Sequence, residues 1–232
     1  MILHYYTDST SALRAMTNDL KRTISETKGT FHLALSGGGT AQQMFKLWVE
    51  EYSEEIEWNR LRFYWVDERC VPPTDAESNY GHALHLLFEP LQIPAAHVFR
   101  IRGEEDAEAE ALRYSQLIEE EVTERNNKPH FDAIILGVGP DAHTASIFPN
   151  QLELLTDQRL YAVAKHPVSG QQRVSMTGTL ILNDTPLFVP ILGADKQNVI
   201  EKLKQGFSES NATPSAYILN KATQAEIYTS QR

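Results

Sequence analysis

The stretch that decides the fold is residues 133–149, which read AIILGVGPDAHTASIFP. It begins with four consecutive apolar residues, as expected of a buried strand in a parallel sheet. Open α/β sheets bind ligands beyond the carboxyl ends of such strands, and this chain places two glycines, Asp141 and His143 there. Glycine lets a ligand approach the backbone, and histidine transfers protons near neutral pH. The stretch therefore predicts an active-site loop, in preference to a structural histidine beside a capping aspartate.

The composition is that of an ordinary globular chain, and we expect one α/β domain over residues 1–232. Hydrophobic residues make up 41% and charged residues 22% of the sequence, and no apolar run approaches the roughly 20 residues that span a bilayer. The formal net charge of −10 opposes nonspecific binding to nucleic acid. A single cysteine, Cys70, excludes an internal disulfide and fits a reducing compartment. We expect a cytoplasmic protein without nucleic-acid or membrane partners.

Apolar residues alternate along the chain between the strand period and the helix period. Strands are predicted at residues 2–6, 31–35, 61–66, 98–101, 133–136, 160–164, 173–176 and 186–192. Helices are predicted at about residues 10–24, 41–52, 80–88, 106–124 and 194–204. This alternation predicts a mostly parallel open sheet with helices on both faces, a modified Rossmann-like arrangement in a single domain.

A glycine-rich loop, Ser-Gly-Gly-Gly-Thr, connects the strand at residues 31–35 to the following helix. Its glycines allow successive N–H groups to surround an anion, and the helix adds its positive end. The hydroxyl groups of Ser36 and Thr40 offer further hydrogen-bond donors. We predict a phosphate site at Ser36, Gly37, Gly38, Gly39 and Thr40. The alternative is a tight turn with Thr40 as a helix cap, and the loop lacks both the P-loop lysine and dinucleotide-fold spacing.

An acidic chain that binds an anion needs local positive charge, and three basic residues stand at strand boundaries. Arg69 ends an Asp-Glu-Arg turn that follows the strand at residues 61–66, and Arg173 begins a later strand. Lys196 follows the apolar strand at residues 186–192. Arginine binds phosphate through two parallel hydrogen bonds. The alternatives are solvated charges and surface salt bridges. His82 and His85 are three residues apart on a predicted helix, but no third ligand accompanies them, so no metal site is predicted.

Taken together and in order, these motifs resemble the 6-phosphogluconolactonase family, part of a wider superfamily that includes glucosamine-6-phosphate deaminases. The resemblance covers nearly the whole chain. It rests on the Ser-Gly-Gly-Gly-Thr loop, the Asp-Glu-Arg turn with Ser-Asn-Tyr at residues 78–80, the His143 loop and the Arg173 strand. It extends to Gly-Ala-Asp-Lys at residues 193–196 and Thr-Pro-Ser-Ala at residues 213–216.

This resemblance implies hydrolysis of a phosphorylated sugar lactone in the oxidative pentose phosphate pathway, without a metal or organic cofactor. His143 would be the general base, while Asp141 and Asp67 would position it and the sugar hydroxyls. A histidine with the ordinary pKa of about 6.5 is largely neutral at pH 7 and accepts a proton. The implied substrate-binding residues are Ser36, Gly37, Gly38, Gly39, Thr40, Arg69, Gly137, Gly139, Arg173 and Lys196. A monomer is expected, and a weak homodimer is left open.

Two other functions stay open. In the first, the deaminase branch, the pattern of the corresponding loop has glutamate five residues after the histidine, where this chain has Phe148. The deaminases also typically lack the arginine of Asp-Glu-Arg. Both features favour the lactonase. The second alternative is a non-catalytic sugar-phosphate sensor, which in regulators of this fold accompanies an N-terminal DNA-binding domain.

One departure from the family pattern lies next to the proposed base. The lactonase pattern has glycine immediately before the histidine, whereas this chain has Ala142, with Pro140 two residues earlier. A positive φ at residue 142 would strain an alanine by about 1 kcal/mol. We expect that an ordinary backbone conformation suffices there.

Overall fold

The computed structural model describes residues 1–204 and 213–230. Over these residues the strands are β1 (Ile2–Tyr6), β2 (Phe31–Leu35), β3 (Leu61–Trp65), β4 (Asp67–Arg69), β5 (Glu124–Arg125), β6 (Lys128–Pro129), β7 (Ala133–Ile135), β8 (Tyr161–Lys165), β9 (Gln172–Met176), β10 (Leu187–Ile191) and β11 (Ala225–Ser230). The α-helices are α1 (Ser9–Glu26), α2 (Gly39–Glu51), α3 (Asn79–Ala83), α4 (Ala107–Glu121), α5 (Gly178–Ile181), α6 (Gln197–Lys204) and α7 (Pro214–Lys221). A π-helical turn, Leu84–Phe88, continues α3.

The central feature is a parallel sheet with the strand order β1-β11-β10-β7-β2-β3. Its inner strands β7 and β10 are buried along their whole length, which explains their uninterrupted apolar sequences. The predicted parallel α/β fold is confirmed. A smaller antiparallel sheet, in the order β4-β9-β8, lies beside it, and β5 pairs with β6 in a short hairpin.

Helix α1 has an N-terminal cap and an apolar stripe that packs against the central sheet. Asp8 caps α1 by accepting a hydrogen bond from the Ser11 N–H at 2.7 Å. The predicted apolar stripe is buried, and through it α1 packs against β1, β10 and β11. Among the described residues, no helix has both the length and the apolar character needed to cross a membrane.

Three expectations about elements were wrong or incomplete. The strand predicted at residues 98–101 is absent, because Val98 only bridges Phe63 on the edge strand β3 before the chain turns away. The Asp-Glu-Arg turn is strand β4, since its backbone pairs with β9. The strands predicted at residues 160–164 and 173–176 form, but they belong to the antiparallel sheet. Helix α7 and strand β11 were not predicted.

Candidate active site

The carboxyl ends of four neighbouring strands, β10, β7, β2 and β3, open on one cleft of about 420 Å³. Each of these strands is followed by one of the predicted motifs. The predicted residues that line the cleft are Ser36, Gly37, Gly38, Gly39, Thr40, Asp67, Arg69, Gly137, Gly139, His143, Arg173 and Lys196. Asp141 is not part of the lining. Strand order thus brings together residues that are up to 160 positions apart, from Ser36 to Lys196.

His143 is held by Asp141 through its Nδ1 atom. The Nδ1 atom lies 2.5 Å from Asp141 Oδ1, which also accepts the His143 backbone N–H at 3.1 Å. Burial alone would raise the pKa of Asp141. The hydrogen bonds and charge of His143 outweigh burial, so this pKa lies below its ordinary value. The carboxylate is therefore ionised at neutral pH, so it accepts the Nδ1 proton. Nε2 is left to accept a proton from a ligand in the cleft.

Gly139 leaves room for the His143 ring. A Cβ atom at Gly139 would lie 2.2 Å from Cε1 of the ring, far inside van der Waals contact. The Gly139 N–H also donates to the His143 carbonyl at 2.9 Å. Any side chain at residue 139 would therefore displace the ring.

The expectation of an ordinary backbone at Ala142 was wrong, because its φ is +66°. The Ala142 N–H donates to the Gly139 carbonyl at 2.9 Å, and its own carbonyl accepts from the Ser215 N–H at 3.1 Å. The residue is only 3% exposed. These contacts hold the left-handed conformation that turns His143 back over Gly139, in spite of the cost for an alanine.

Phe148 forms a buried apolar wall between the proposed base and a cation. Its ring centroid lies 4.8 Å from that of His143, and the Arg173 guanidinium lies over the same ring at 5.5 Å. The ring of His166 meets Phe148 edge-on at 5.2 Å. An aromatic ring attracts a guanidinium without neutralising it, so Arg173 keeps its charge at this position.

The glycine-rich loop is joined to the His143 loop at its base. The Ser36 hydroxyl oxygen accepts the Gly137 N–H at 2.9 Å, which leaves the hydroxyl proton to donate. Helix α2 begins at Gly39 and is capped by Gly38 without a side-chain hydrogen bond, so Thr40 is not its cap. The first N–H groups of α2 have no acceptor within the helix and lie at the cleft.

Three cations line the cleft without forming an ion pair with any carboxylate of the described residues: Arg69, Arg173 and Lys196. Arg69 lies directly opposite Arg173 in the pairing of β4 with β9. Burial lowers the pKa of Arg173, and Arg69 adds to this effect while Asp67 opposes it. Burial also lowers the pKa of Lys196. The positive charges of Arg173 and Lys196 are thus destabilised until an anion enters the cleft.

The two aspartates of the site have different neighbours. Asp141 contacts His143, whereas Asp67 accepts a hydrogen bond from the Ser146 hydroxyl at 2.5 Å. Ser146 in turn lies 3.4 Å from an Nη1 atom of Arg173. Asp67 is 6% exposed, and its side chain lines the cleft. It is therefore placed to accept a hydrogen bond from a ligand rather than to orient the histidine.

Some cleft residues were not assigned a role from the sequence. Gln43 lies one helical turn after Thr40, a spacing that predicts the same face of α2. Asn79 was quoted only as part of a motif, and Ser9 and Pro190 gave no local signal. In the part of the chain that the structure describes, no group of three or more His, Cys, Asp and Glu side chains is arranged to hold a metal ion.

Comparison with known proteins gives one consistent result. The family described as glucosamine-6-phosphate isomerases/6-phosphogluconolactonase matches residues 7–228. A 6-phosphogluconolactonase of Treponema pallidum is 46% identical over 175 residues, 75% of this chain and 73% of that protein. A 6-phosphogluconolactonase of Haemophilus influenzae is 41% identical over 198 residues, 85% of this chain and 83% of that protein. The crystal structure of a protein named devB superposes with a TM-score of 0.91 at 37% identity, covering 99% of this chain and 97% of that one.

Proposed function

The chain belongs to the family of glucosamine-6-phosphate isomerases and 6-phosphogluconolactonases, and we propose that it hydrolyses 6-phospho-D-glucono-1,5-lactone to 6-phosphogluconate. The observation that carries the proposal is the presence, in one cleft, of a histidine oriented by aspartate and of three cations without carboxylate partners. The histidine suits proton transfer, and the three cations suit a phosphate dianion.

The phosphate group would bind at the start of α2, together with the unpaired cations. N–H groups at a helix start and arginine forks are the donors that phosphate prefers. Each hydrogen bond to a charged group contributes about 1.5–3 kcal/mol. A volume of about 420 Å³ lies within the usual range for small-molecule clefts. The cleft therefore accommodates a sugar phosphate, and Asp67 is placed to accept from one of its hydroxyls.

The proposed reaction uses His143 twice. Its Nε2 atom removes a proton from a water molecule as the water oxygen bonds to the lactone carbonyl carbon, and the carbonyl electrons move to oxygen. When the carbonyl re-forms, the bond to the ring oxygen breaks, and that oxygen takes the proton from Nε2. A positioned base contributes about 10²–10⁴-fold to such a rate. The activated ester needs neither a nucleophilic side chain nor, in this proposal, a metal or organic cofactor.

Phe148 bears on the choice between the two activities of the family. The buried ring occupies the position at which the deaminase pattern has glutamate, so this loop offers no second carboxylate beside His143. The Asp-Glu-Arg arginine is also present in the cleft. Both observations support hydrolysis of the lactone over deamination of an amino sugar phosphate. The single family match over residues 7–228 supports the expectation of one domain.

The test is an assay of the purified protein on freshly generated lactone. The proposal expects loss of the lactone far above its spontaneous rate, with release of one proton for each molecule hydrolysed. A rate equal to the spontaneous one would overturn it. Release of ammonia from glucosamine 6-phosphate would establish the deaminase, and binding of 6-phosphogluconate without turnover would establish the sensor.

A further inference from the structure

Glu68 is a buried carboxylate that the proposed reaction does not use. It stands on β4 between two cleft residues, Asp67 and Arg69, and alternation along a strand turns its side chain away from theirs. The residue is 2% exposed. It forms no ion pair with a described cation. An ion buried in this way requires hydrogen-bond donors in place of water.

Hydrogen-bond donors surround the Glu68 carboxylate on both oxygens. Oε1 accepts the backbone N–H groups of Arg69 and Asn79, each at 2.8 Å. Oε2 accepts the N–H of Tyr80 at 2.7 Å and the hydroxyl of Ser78 at 3.2 Å. Glu68 thus joins β4 to the segment at residues 78–80, which lies 10 to 12 residues further along the chain and begins α3.

This segment carries Asn79 into the cleft. The Asn79 side chain donates from Nδ2 to the Asp67 carbonyl at 3.0 Å. Its Oδ1 atom rests against Gly37, where a Cβ atom would lie only 1.8 Å away. Asn79 is 1% exposed, so its side chain is enclosed by the protein. The position of Asn79 consequently fixes the glycine-rich loop relative to β4.

We propose that Glu68 is a positioning residue for the anion-binding half of the cleft. It holds Arg69 and Asn79 against the glycine-rich loop and does not itself touch the substrate. The inference rests on the proposed function in one respect, the assignment of this loop and Arg69 to the phosphate group. It makes Glu68 a determinant of substrate affinity and not of proton transfer, because its contacts lead to Arg69 and Asn79 and none leads to His143.

If Glu68 served only the stability of the fold, its replacement by glutamine would change the free energy of unfolding and leave substrate affinity unchanged. Burial raises the pKa of Glu68, while the N–H groups of Tyr80, Asn79 and Arg69 oppose that effect. A neutral glutamine of the same shape therefore avoids part of the cost of burying a charge. It also turns an NH₂ group toward N–H donors, which shifts the segment at residues 78–80. Affinity is therefore expected to change in addition to any loss of stability.

The experiment compares E68Q with E110Q in the full chain. Glu110 is the control, because it is equally buried and accepts a backbone N–H, that of Arg102 at 2.7 Å, but lies outside the cleft lining. Unlike Glu68, it also forms an ion pair with Arg113. For E68Q we expect a rise of about tenfold both in KM for the lactone and in the Kd of 6-phosphogluconate, which corresponds to loss of one good hydrogen bond. Its kcat should stay within about threefold of wild type. E110Q should leave KM and Kd unchanged.

A double-mutant cycle tests the route of the effect. The part of the effect that passes through the Arg69 side chain is lost in R69A, so adding E68Q to R69A should raise Kd by clearly less than the tenfold expected in the wild-type background, and a full tenfold rise would overturn the route through Arg69. Unchanged KM and Kd in E68Q, an equal rise in E110Q, or a loss confined to kcat would each overturn the proposal. If E68Q fails to fold, S78A removes one donor to the Glu68 carboxylate, and an unchanged Kd in S78A would overturn the proposal instead.

A wild-type protein that binds 6-phosphogluconate without hydrolysing the lactone would refute the proposed function, while the Kd of 6-phosphogluconate would still report on the role of Glu68.

Discussion

Arg69 and Arg173 lie directly opposite each other in the antiparallel pairing of β4 with β9, although both carry a positive charge. Like charges at such a pair of positions destabilise a sheet. Arg173 is only 8% exposed, so water screens the pair poorly. The Arg173 guanidinium lies over the Phe148 ring and does not pair with a carboxylate. The fold thus retains a repulsive pair at the cleft, and an anion bound between the two residues would relieve it.

Replacing Arg69 with glutamine should therefore stabilise the free protein while weakening its ligand. Removal of the like charge is expected to raise the free energy of unfolding by about 0.2–1 kcal/mol. Loss of a charged hydrogen-bond donor should raise the Kd of 6-phosphogluconate by about 10–100-fold. Thermal unfolding in phosphate-free buffer and calorimetric titration measure the two effects. R22Q, at an exposed arginine paired with Asp19, is the control and should leave Kd unchanged. A less stable R69Q with unaltered affinity would contradict the account.

The contact between Asp141 and His143 should matter for turnover and not for binding. In D141N an amide replaces the acceptor of the Nδ1 proton, so the ring loses the tautomer that leaves Nε2 free. We expect kcat to fall by about 10²–10⁴-fold, with KM changed only a few-fold. Steady-state kinetics on the lactone measure both. A kcat equal to that of wild type would show that Asp141 does not orient the base.

The lowered pKa of Asp141 adds a pH dependence to this contact. Because the folded value lies below the ordinary one, the stabilisation is present above the ordinary pKa of about 3.9 and is lost as pH falls through the folded value. Wild type and D141N should consequently converge in stability at strongly acid pH.

Substitution of Phe148 should impair the site more than the fold. F148L removes the ring that touches both His143 and Arg173, so we expect kcat to fall and KM to rise, each by about tenfold. F131L is the control, because Phe131 is equally buried and its ring packs against Tyr64 instead. Both variants should lose similar stability. Equal activity in F148L and F131L would contradict a role for the Phe148 ring at the site.

Glycine at residue 142 should be tolerated unusually well. Relief of the left-handed alanine gains about 1 kcal/mol, while loss of a buried methyl group costs about 0.8 kcal/mol. The free energy of unfolding of A142G should therefore stay within about 1 kcal/mol of wild type. A111G, at a buried alanine inside α4, should cost about 2 kcal/mol because it gains no such relief. Equal losses in chemical denaturation would show that Ala142 is not strained.

The sequence determines the parallel sheet and most of the cleft because their signals are local. An apolar run such as residues 133–136 identifies a buried strand, and a polar motif after such a strand lies at the shared edge of the sheet. Strand β11 was missed although it lies between β1 and β10, since its residues mix polar and apolar types without a clear run. Strand β4 was missed because only its pairing with β9 makes it a strand.

What the sequence did not reveal depends on contacts between distant segments. The opposition of Arg69 to Arg173 arises from the register of two strands that are separated by about a hundred residues. The positive φ of Ala142 depends on Ser215, whose N–H fixes the Ala142 carbonyl. The role of Asn79 likewise follows from its packing against Gly37. The pairing of Arg69 with Arg173 has no period or motif. The family glycine at residue 142 and the motif that contains Asn79 were visible in the sequence, but they do not show which distant residues these two positions contact.

In the proposed reaction His143 transfers the proton while the surrounding cations hold the phosphate. The most direct test is to measure, for H143A beside wild type, both kcat on freshly generated lactone and the Kd of 6-phosphogluconate. We expect kcat of H143A to fall by about 10²–10⁴-fold, with Kd changed by less than about threefold, because a general base acts in the transition state. A wild-type kcat in H143A, or a loss of affinity as large as the loss of rate, would contradict it.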